Sequence, residues 1–137
     1  MVHEGIPPWD GGIYVLILRL REDTYVERFH RVFRSGHYAY VGSAQRNLAA
    51  RIRRHMWKGK KRHWHIDELT EVAEVVTVFS SPLPREYEDM VARCMAGRHE
   101  SIPGFGATDS EERSHLFFGT EAIMESARRC LEEMESP

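Results

Sequence analysis

The stretch IYVLIL, Ile13 to Leu18, is six apolar residues in succession, preceded by Gly11-Gly12 and followed by Arg19. It is too short for a helix and lacks the alternation of a half-wet strand, so it reads as a buried strand at the centre of a sheet. Upstream, Pro7-Pro8 and the glycine pair mark an irregular start. Downstream, Tyr25 to Phe33 mixes β-forming residues with charge and reads equally as an edge strand or a loop excursion. Ser35-Gly36 marks a turn, and His37 to Val41 has strand propensity with Tyr38 and Tyr40 on one face, placed to pair with the first strand.

Gly42-Ser43 is expected to end that strand. Leu48, Ile52 and Met56 then recur at a spacing of four, which predicts one buried stripe of a helix ending near Gly59. Val72 to Phe79 is β-branched and bounded by Ser80-Ser81-Pro82, a third strand. The next helix takes Pro84 in its first turn, Tyr87, Val91 and Cys94 or Met95 on its buried side, and Gly97 at its end. Ile102 to Asp109 is a glycine-rich loop, His115 to Phe118 a short strand, and Ile123, Ala127, Leu131 and Met134 the inner stripe of a last helix with Thr120 as its N-cap. The order β-β-α-β-α-(β)-α predicts an α/β (α+β) fold, a small mixed or antiparallel central sheet flanked by helices. Residues 1–137 are read as one domain, with a core over about 11–119 and the C-terminal helix over about 120–135.

A chain of 137 residues buries about two-thirds of the surface its unfolded form exposes. With 42% hydrophobic and 29% charged residues it has the composition of an ordinary globular protein. No apolar run reaches the roughly 18 residues of a membrane span, and the first residues lack the blocks of a signal peptide, so a cytoplasmic protein with no membrane partner is expected. The two cysteines, Cys94 and Cys130, fall in helical apolar patterns and are expected as free thiols packed like small hydrophobes. The net charge of −2 averages two unlike halves. From Ser43 to His63 there are eight cations (Arg46, Arg51, Arg53, Arg54, Lys58, Lys60, Lys61, Arg62) and no carboxylate, whereas seven acids against three arginines follow from Ser110 onward. A helix that only faces water interleaves acids for i, i+4 pairing, and their absence here points to phosphate binding.

Gly12-Ile13-Tyr14 and Tyr40-Val41-Gly42 fall on the two paired strands, and Arg51 begins Arg-x-x-x-His, ending at His55, on the helix that follows. This combination resembles the GIY-YIG nuclease family. The segments YVGSA, HWHID (His63 to Asp67), Gly104-Phe105-Gly106 with Asp109, and Ser114-His115-Leu116 are similar to signatures of one branch of it, DUF123-like, over roughly residues 11–119. Two features depart from the pattern: Ser43 stands where many such nucleases have lysine, and Ser110 and Glu112 stand where the branch often has cysteines. The resemblance implies a metal-dependent endonuclease acting in DNA repair or recombination, with Tyr14 as general base, Tyr40 orienting water or phosphate, and Glu88 holding Mg²⁺, for which Mn²⁺ can substitute.

The residue chemistry agrees with that reading. A phenol whose pKa is lowered by a nearby cation or metal can accept a proton from water. The guanidinium of Arg51 can grip two phosphate oxygens, and a spacing of four puts His55 on the same helix face, to donate to the phosphate or relay the proton of Tyr14. A carboxylate at Glu88 with waters and substrate oxygens suits a hard Mg²⁺ ion. Arg46, Arg53, Arg54, Lys58, Lys60, Lys61 and Arg62 are the expected nucleic-acid contacts. His63, Trp64, His65, Asp109 and His115 are supporting candidates. For the histidines a zinc site stands beside support of the active site, and for Trp64 a stacked base. Asp109 reads either as a cap or as help for the metal. The expected partner is nucleic acid, DNA more than RNA, recognised by structure and not by sequence, with a protein partner or homodimer aiding substrate choice. The alternative is a non-catalytic nucleic-acid-binding module on the same fold, motivated by Ser43, and a third reading is a protein-interaction domain using the acidic C-terminal helix.

Overall fold

The computed structural model describes residues 1–105 and 114–135, which build a mixed α+β fold. The strands are β1 (His3–Glu4), β2 (Gly12–Leu20), β3 (Thr24–Val26), β4 (Arg31–Phe33), β5 (Gly36–Ala44), β6 (Glu74–Ser81), β7 (Glu100–Ser101) and β8 (Leu116–Gly119). The helices are α1 (Leu48–Met56), α2 (His65–Val72), α3 (Glu88–Ala96) and α4 (Ile123–Glu135). Six strands form one sheet in the order β1-β6-β2-β5-β8-β7, every neighbouring pair antiparallel, and β3 and β4 form a separate hairpin.

The apolar run sits where its composition demands. In β2 every residue but Arg19 is buried, because helices cover both faces of the sheet. Ile13, Val15 and Ile17 meet Val91 and Met95 of α3 and Ile123, Ala127 and Leu131 of α4. Tyr14, Leu16 and Leu18 meet Leu48 and Ile52 of α1 and Ile66 and Leu69 of α2. Each such side chain removed from water is worth about 1.5–3 kcal/mol, so this strand anchors both layers. No helix among the described residues is long and apolar enough to cross a membrane.

Several boundaries differ from the sequence reading. β5 runs on through Gly42 and Ser43, since Ile13 and Gly12 continue the ladder opposite Ser43 and Ala44. The inner stripe of α1 is Leu48, Ile52 and His55, while Met56 is 40% exposed, because the helix stops there and Trp57 turns extended. Tyr25 to Phe33 is neither an edge strand nor a plain loop. It is the β3–β4 hairpin, closed by a turn of 3₁₀ helix with His30 in the left-handed conformation (φ 51°).

Helix α2 has no counterpart in the sequence reading, which takes the HWHID segment as extended and begins a strand at Val72. Its N-cap residue is Trp64, which has no side-chain acceptor, and Asp67 does the capping from inside the helix. The Asp67 Oδ2 atom accepts from the backbone N–H groups of His63 (2.7 Å) and Trp64 (3.0 Å). Cys94 and Cys130 are not free thiols. They form a disulfide between α3 and α4 with Cα atoms 5.8 Å apart, because the apolar stripes assigned to the two helices pack against one another.

Candidate active site

Tyr14 on β2 and Tyr40 on β5 project from the same face, as the register shows: Tyr14 lies opposite Gly42 and Leu16 opposite Tyr40. Their rings are 6.5 Å apart. The glycine of the YVG segment has a steric reason, since a Cβ at Gly42 would lie 2.6 Å from the Tyr14 Oη atom. His55, the innermost residue of the last turn of α1, closes the cluster: its Nε2 shares a hydrogen bond of 2.7 Å with Tyr14 Oη, and both groups are buried.

Burial sets the proton chemistry. It is the largest influence on Tyr14, whose pKa lies far above the ordinary tyrosine value despite the opposing charge of Arg51. Burial, and after it the Glu88 carboxylate, pushes Tyr40 up to about 12. Burial brings His55 down to about 4, so its imidazole is neutral near pH 7. Desolvation thus outweighs the Arg51 charge, and the cation alone does not lower the phenol. A neutral phenol hydrogen-bonded to a neutral imidazole can still accept a proton, provided that it passes its own to the ring nitrogen in the same event. The Nδ1 atom of His55 is buried without a hydrogen-bond partner, so nothing in the described residues fixes the tautomer.

Arg51, one turn before His55, donates from Nη1 to the backbone carbonyl of Ser43 (3.1 Å) and lies over the Trp64 ring at 4.6 Å. Arg54 lies 4.5 Å from the same ring and makes a two-pronged bond to Asp67, 2.9 Å on each arm. Asp67 is fully buried. Burial alone would raise its pKa, but the bonds from Arg54, Trp64 and His63 outweigh that and hold it at about 2.

The basic block is less free than its sequence implies, because α2 supplies the carboxylates that residues 43–63 lack. Arg54 is taken by Asp67, Arg62 lies 3.5 Å from Glu68, and Lys60 bonds Thr70 and lies near Glu71. Lys58 caps the end of α2 through the carbonyls of Thr70 and Ala73. The side chains of Arg46, Arg53 and Lys61 are exposed and make no hydrogen bond or ion pair among the described residues, and Arg51 has no carboxylate partner there.

Glu88, the first residue of α3, comes to the cluster from the opposite layer, at the end of the sheet. Its Oε1 accepts the hydroxyl of Ser43, and its Oε2 lies 3.0 Å from His115 Nδ1. The other ring nitrogen of His115 lies 3.0 Å from Asp89 Oδ1. A ring that donates to a carboxylate from each nitrogen is an imidazolium. Accordingly, burial alone would lower the His115 pKa, but the bonds to Glu88 and Asp89 raise it. For Glu88, burial would raise the pKa, and the bonds from His115 and Ser43 lower it. The Glu88 side chain keeps 20% of its surface exposed, and each of its oxygens retains a second lone pair, so it fits a hard cation completed by water and substrate oxygens.

The fold thus gathers Tyr14, Tyr40, Arg51, His55 and Glu88, with Trp64 and His115 beside them. It does not gather four histidines for zinc. His55 is engaged by Tyr14, His115 by Glu88 and Asp89, and His63 stands exposed against the Trp64 ring. His65 bonds the Gly104 carbonyl at 3.0 Å and packs on Phe29, supporting the glycine-rich loop. Among the described residues no group of three or more His, Cys, Asp or Glu assembles as a metal cage. Asp109, Gly106, Ser110 and Glu112 lie outside the described residues. Sequence reasoning missed Asp67, Asp89 and the bond of Ser43 to Glu88. The quoted HWHID and YVGSA segments contain Asp67 and Ser43, but their partners come from other elements.

Comparison with known families matches residues 13–136 to the domain of unknown function DUF123. No curated protein and no solved structure matches the chain.

Proposed function

The chain belongs to the DUF123 family, and we propose that it is a metal-dependent endonuclease of the GIY-YIG kind that hydrolyses nucleic-acid phosphodiesters, DNA in preference to RNA, choosing sites by structure and not by sequence. The observation that carries this reading is the 2.7 Å bond between Tyr14 Oη and His55 Nε2, with the Tyr40 ring beside both and the charges of Arg51 and Glu88 acting on the two phenols. In this reading Arg51 leaves its rest on Trp64 to grip the scissile phosphate. Tyr40 orients the attacking water. Tyr14 takes the proton of that water on its phenol oxygen while its own proton moves to His55 Nε2, the new P–O bond forms, and the P–O bond to the leaving strand breaks, its oxygen taking a proton from solvent. Glu88 would hold Mg²⁺, or Mn²⁺ in its place, which supplies charge stabilisation at the phosphoryl oxygens when bound.

The test is incubation of the protein and its Glu88→Gln variant with supercoiled, branched and single-stranded DNA, with Mg²⁺ or Mn²⁺ and with chelator. Metal-dependent strand breaks that vanish in the variant are expected. Intact binding with no breaks by either protein would instead favour a non-catalytic nucleic-acid-binding module. The specific observation for that second reading is Ser43, whose hydroxyl occupies a Glu88 oxygen where many GIY-YIG nucleases have a lysine. Salt separates both from a protein-interaction domain. With four cations of the eight neither paired to a carboxylate nor engaged in capping α2, Arg46, Arg51, Arg53 and Lys61, the log–log salt slope of binding to duplex DNA should be about −4, whereas eight free cations would give about −7. A flat response removes both nucleic-acid readings.

A further inference from the structure

Trp64 is held with unusual care for a surface side chain. Its backbone N–H donates to Asp67 Oδ2 (3.0 Å), two guanidinium groups pack on its ring at 4.5 and 4.6 Å, and the imidazoles of His55 and His63 lie 6.2 and 5.6 Å from its centroid. Even so, the residue keeps 37% of its surface exposed. A tryptophan whose role was to shield the Arg54–Asp67 pair would be expected to lie deeper, as Ile66 and Leu69 do in the helix it caps. Trp57, 64% exposed at the end of α1, shows the contrast: among the described residues no ring or guanidinium packs on it.

We propose that Trp64 is a stacking platform for an unpaired base of the nucleic-acid strand whose phosphate Arg51 holds. This rests on the nuclease reading for its setting and names the substrate class, a strand with an unpaired nucleotide beside the reacting phosphate. The platform is one ring away from the reacting centre, since Trp64 neighbours His55 and His55 bonds Tyr14. Arg51 joins the two functions, resting on the indole while donating to the Ser43 carbonyl beside Glu88. The exposed, unpaired cations Arg46, Arg53 and Lys61 on and beside α1 supply the charge that a strand's phosphates match. Every base presents a π face, so an indole selects for an unstacked base without reading its identity. Fixing the indole through Asp67 and Arg54 before the strand arrives removes the ordering cost that a loose side chain would carry.

The experiment is done in chelator, so that binding is read without cutting. In the Trp9→Phe/Trp57→Phe variant Trp64 is the remaining tryptophan of the three. Its emission is expected to be quenched by single-stranded DNA and by a duplex with a single-stranded tail, and to change little with a blunt duplex of the same sequence. In the otherwise unaltered chain, the ratio of affinities for tailed over blunt duplex should fall by roughly 5- to 100-fold in Trp64→Leu and be largely kept in Trp64→Phe, as loss of one base–aromatic stack implies. The same tails made of RNA show which sugar the platform accepts, and quenching by either strand supports it. Trp64 emission that stays unmoved while a labelled strand binds, or a Trp64→Leu protein that keeps the full tail preference, overturns the proposal. Because no arm depends on cleavage, a protein that stacks but never cuts would sink the nuclease reading and leave the platform standing.

Discussion

The two faces of the central sheet are built from the same nine residues of β2, yet they are held by different forces. The face of Ile13, Val15 and Ile17 is a dry apolar layer under α3 and α4, cross-linked by the Cys94–Cys130 disulfide. The face of Tyr14, Leu16 and Leu18 is interrupted by buried polar groups under α1 and α2, Tyr14 bonded to His55 and Asp67 bonded to Arg54. A period of two along one strand therefore separates a dry apolar layer from a layer holding the buried polar cluster, to which the proposed function assigns the proton chemistry. Glu88 is the exception that joins them, since it starts a helix of the dry layer, bonds Ser43 and His115 there, and places its charge where Tyr40 of the other face feels it.

The largest effect should come from one oxygen on the polar face. Tyr14→Phe removes the hydroxyl and keeps the ring that packs on Tyr40 and His55. Cleavage is expected to fall by about 10²–10⁴-fold, the range of a lost general base. Stability should fall by only about 1–2 kcal/mol, the cost of leaving the His55 nitrogen without its partner. A thermal melt beside a single-turnover cleavage assay checks both. Cleavage that survives would remove the phenol from the mechanism and with it the division of labour between the faces.

On the dry face the expectation is reversed. Replacing both cysteines, Cys94→Ala with Cys130→Ala, opens a loop of sequence separation 36. A loss of about 3–4 kcal/mol follows from the loop-closure entropy of the unfolded chain. Cleavage below the new melting temperature should be nearly unchanged. A variant that melts normally but cuts poorly would show that the disulfide positions Glu88 through α3.

The legible and the hidden parts of this site divide along the same physical line. Properties of one element could be read directly: the burial of IYVLIL, the shared face of Tyr38 and Tyr40, and the i, i+4 placing of Arg51 and His55. Properties that need two elements could not. The Cys94–Cys130 bond arises only where α3 packs on α4, the neutralisation of Arg54 and Arg62 only where α2 lies against α1, and the hold of Ser43 on Glu88 only at the sheet end. The sign of the Tyr14 shift was hidden for a related reason: a sequence displays the cations near a phenol but not the loss of water around it. Helix α2 escaped because its cap is Asp67, inside the helix, where a search for Ser, Thr, Asn or Asp ahead of the apolar residues does not look.

Acid distinguishes the faces most gently, through the shifted His55 and Asp67 of the polar face. The folded-state pKa of His55 is about 4, below the ordinary value near 6.5, so between these values the unfolded chain binds a proton that the folded one refuses. Stability should decline as pH falls from about 6.5 to about 4, by up to about 3 kcal/mol. Asp67, held at about 2, adds a contribution that is complete above about pH 4 and is lost as pH falls toward 2. The disulfide and the apolar layer contribute no such slope. Urea melts of the wild type and of His55→Gln from pH 7 to pH 4 read the difference. The variant should lack the decline between 6.5 and 4, and a decline of equal size in both proteins would assign the acid sensitivity to groups other than His55. The proposed cleavage should obey the same limit from the other side. His55 must be neutral to take the phenol proton, so the acid limb of the rate profile should fall near pH 4 and not near the ordinary histidine value. A limb near 6.5 would mean that the imidazole is hydrated during cleavage and that the buried Tyr14–His55 relay is not the path of the proton.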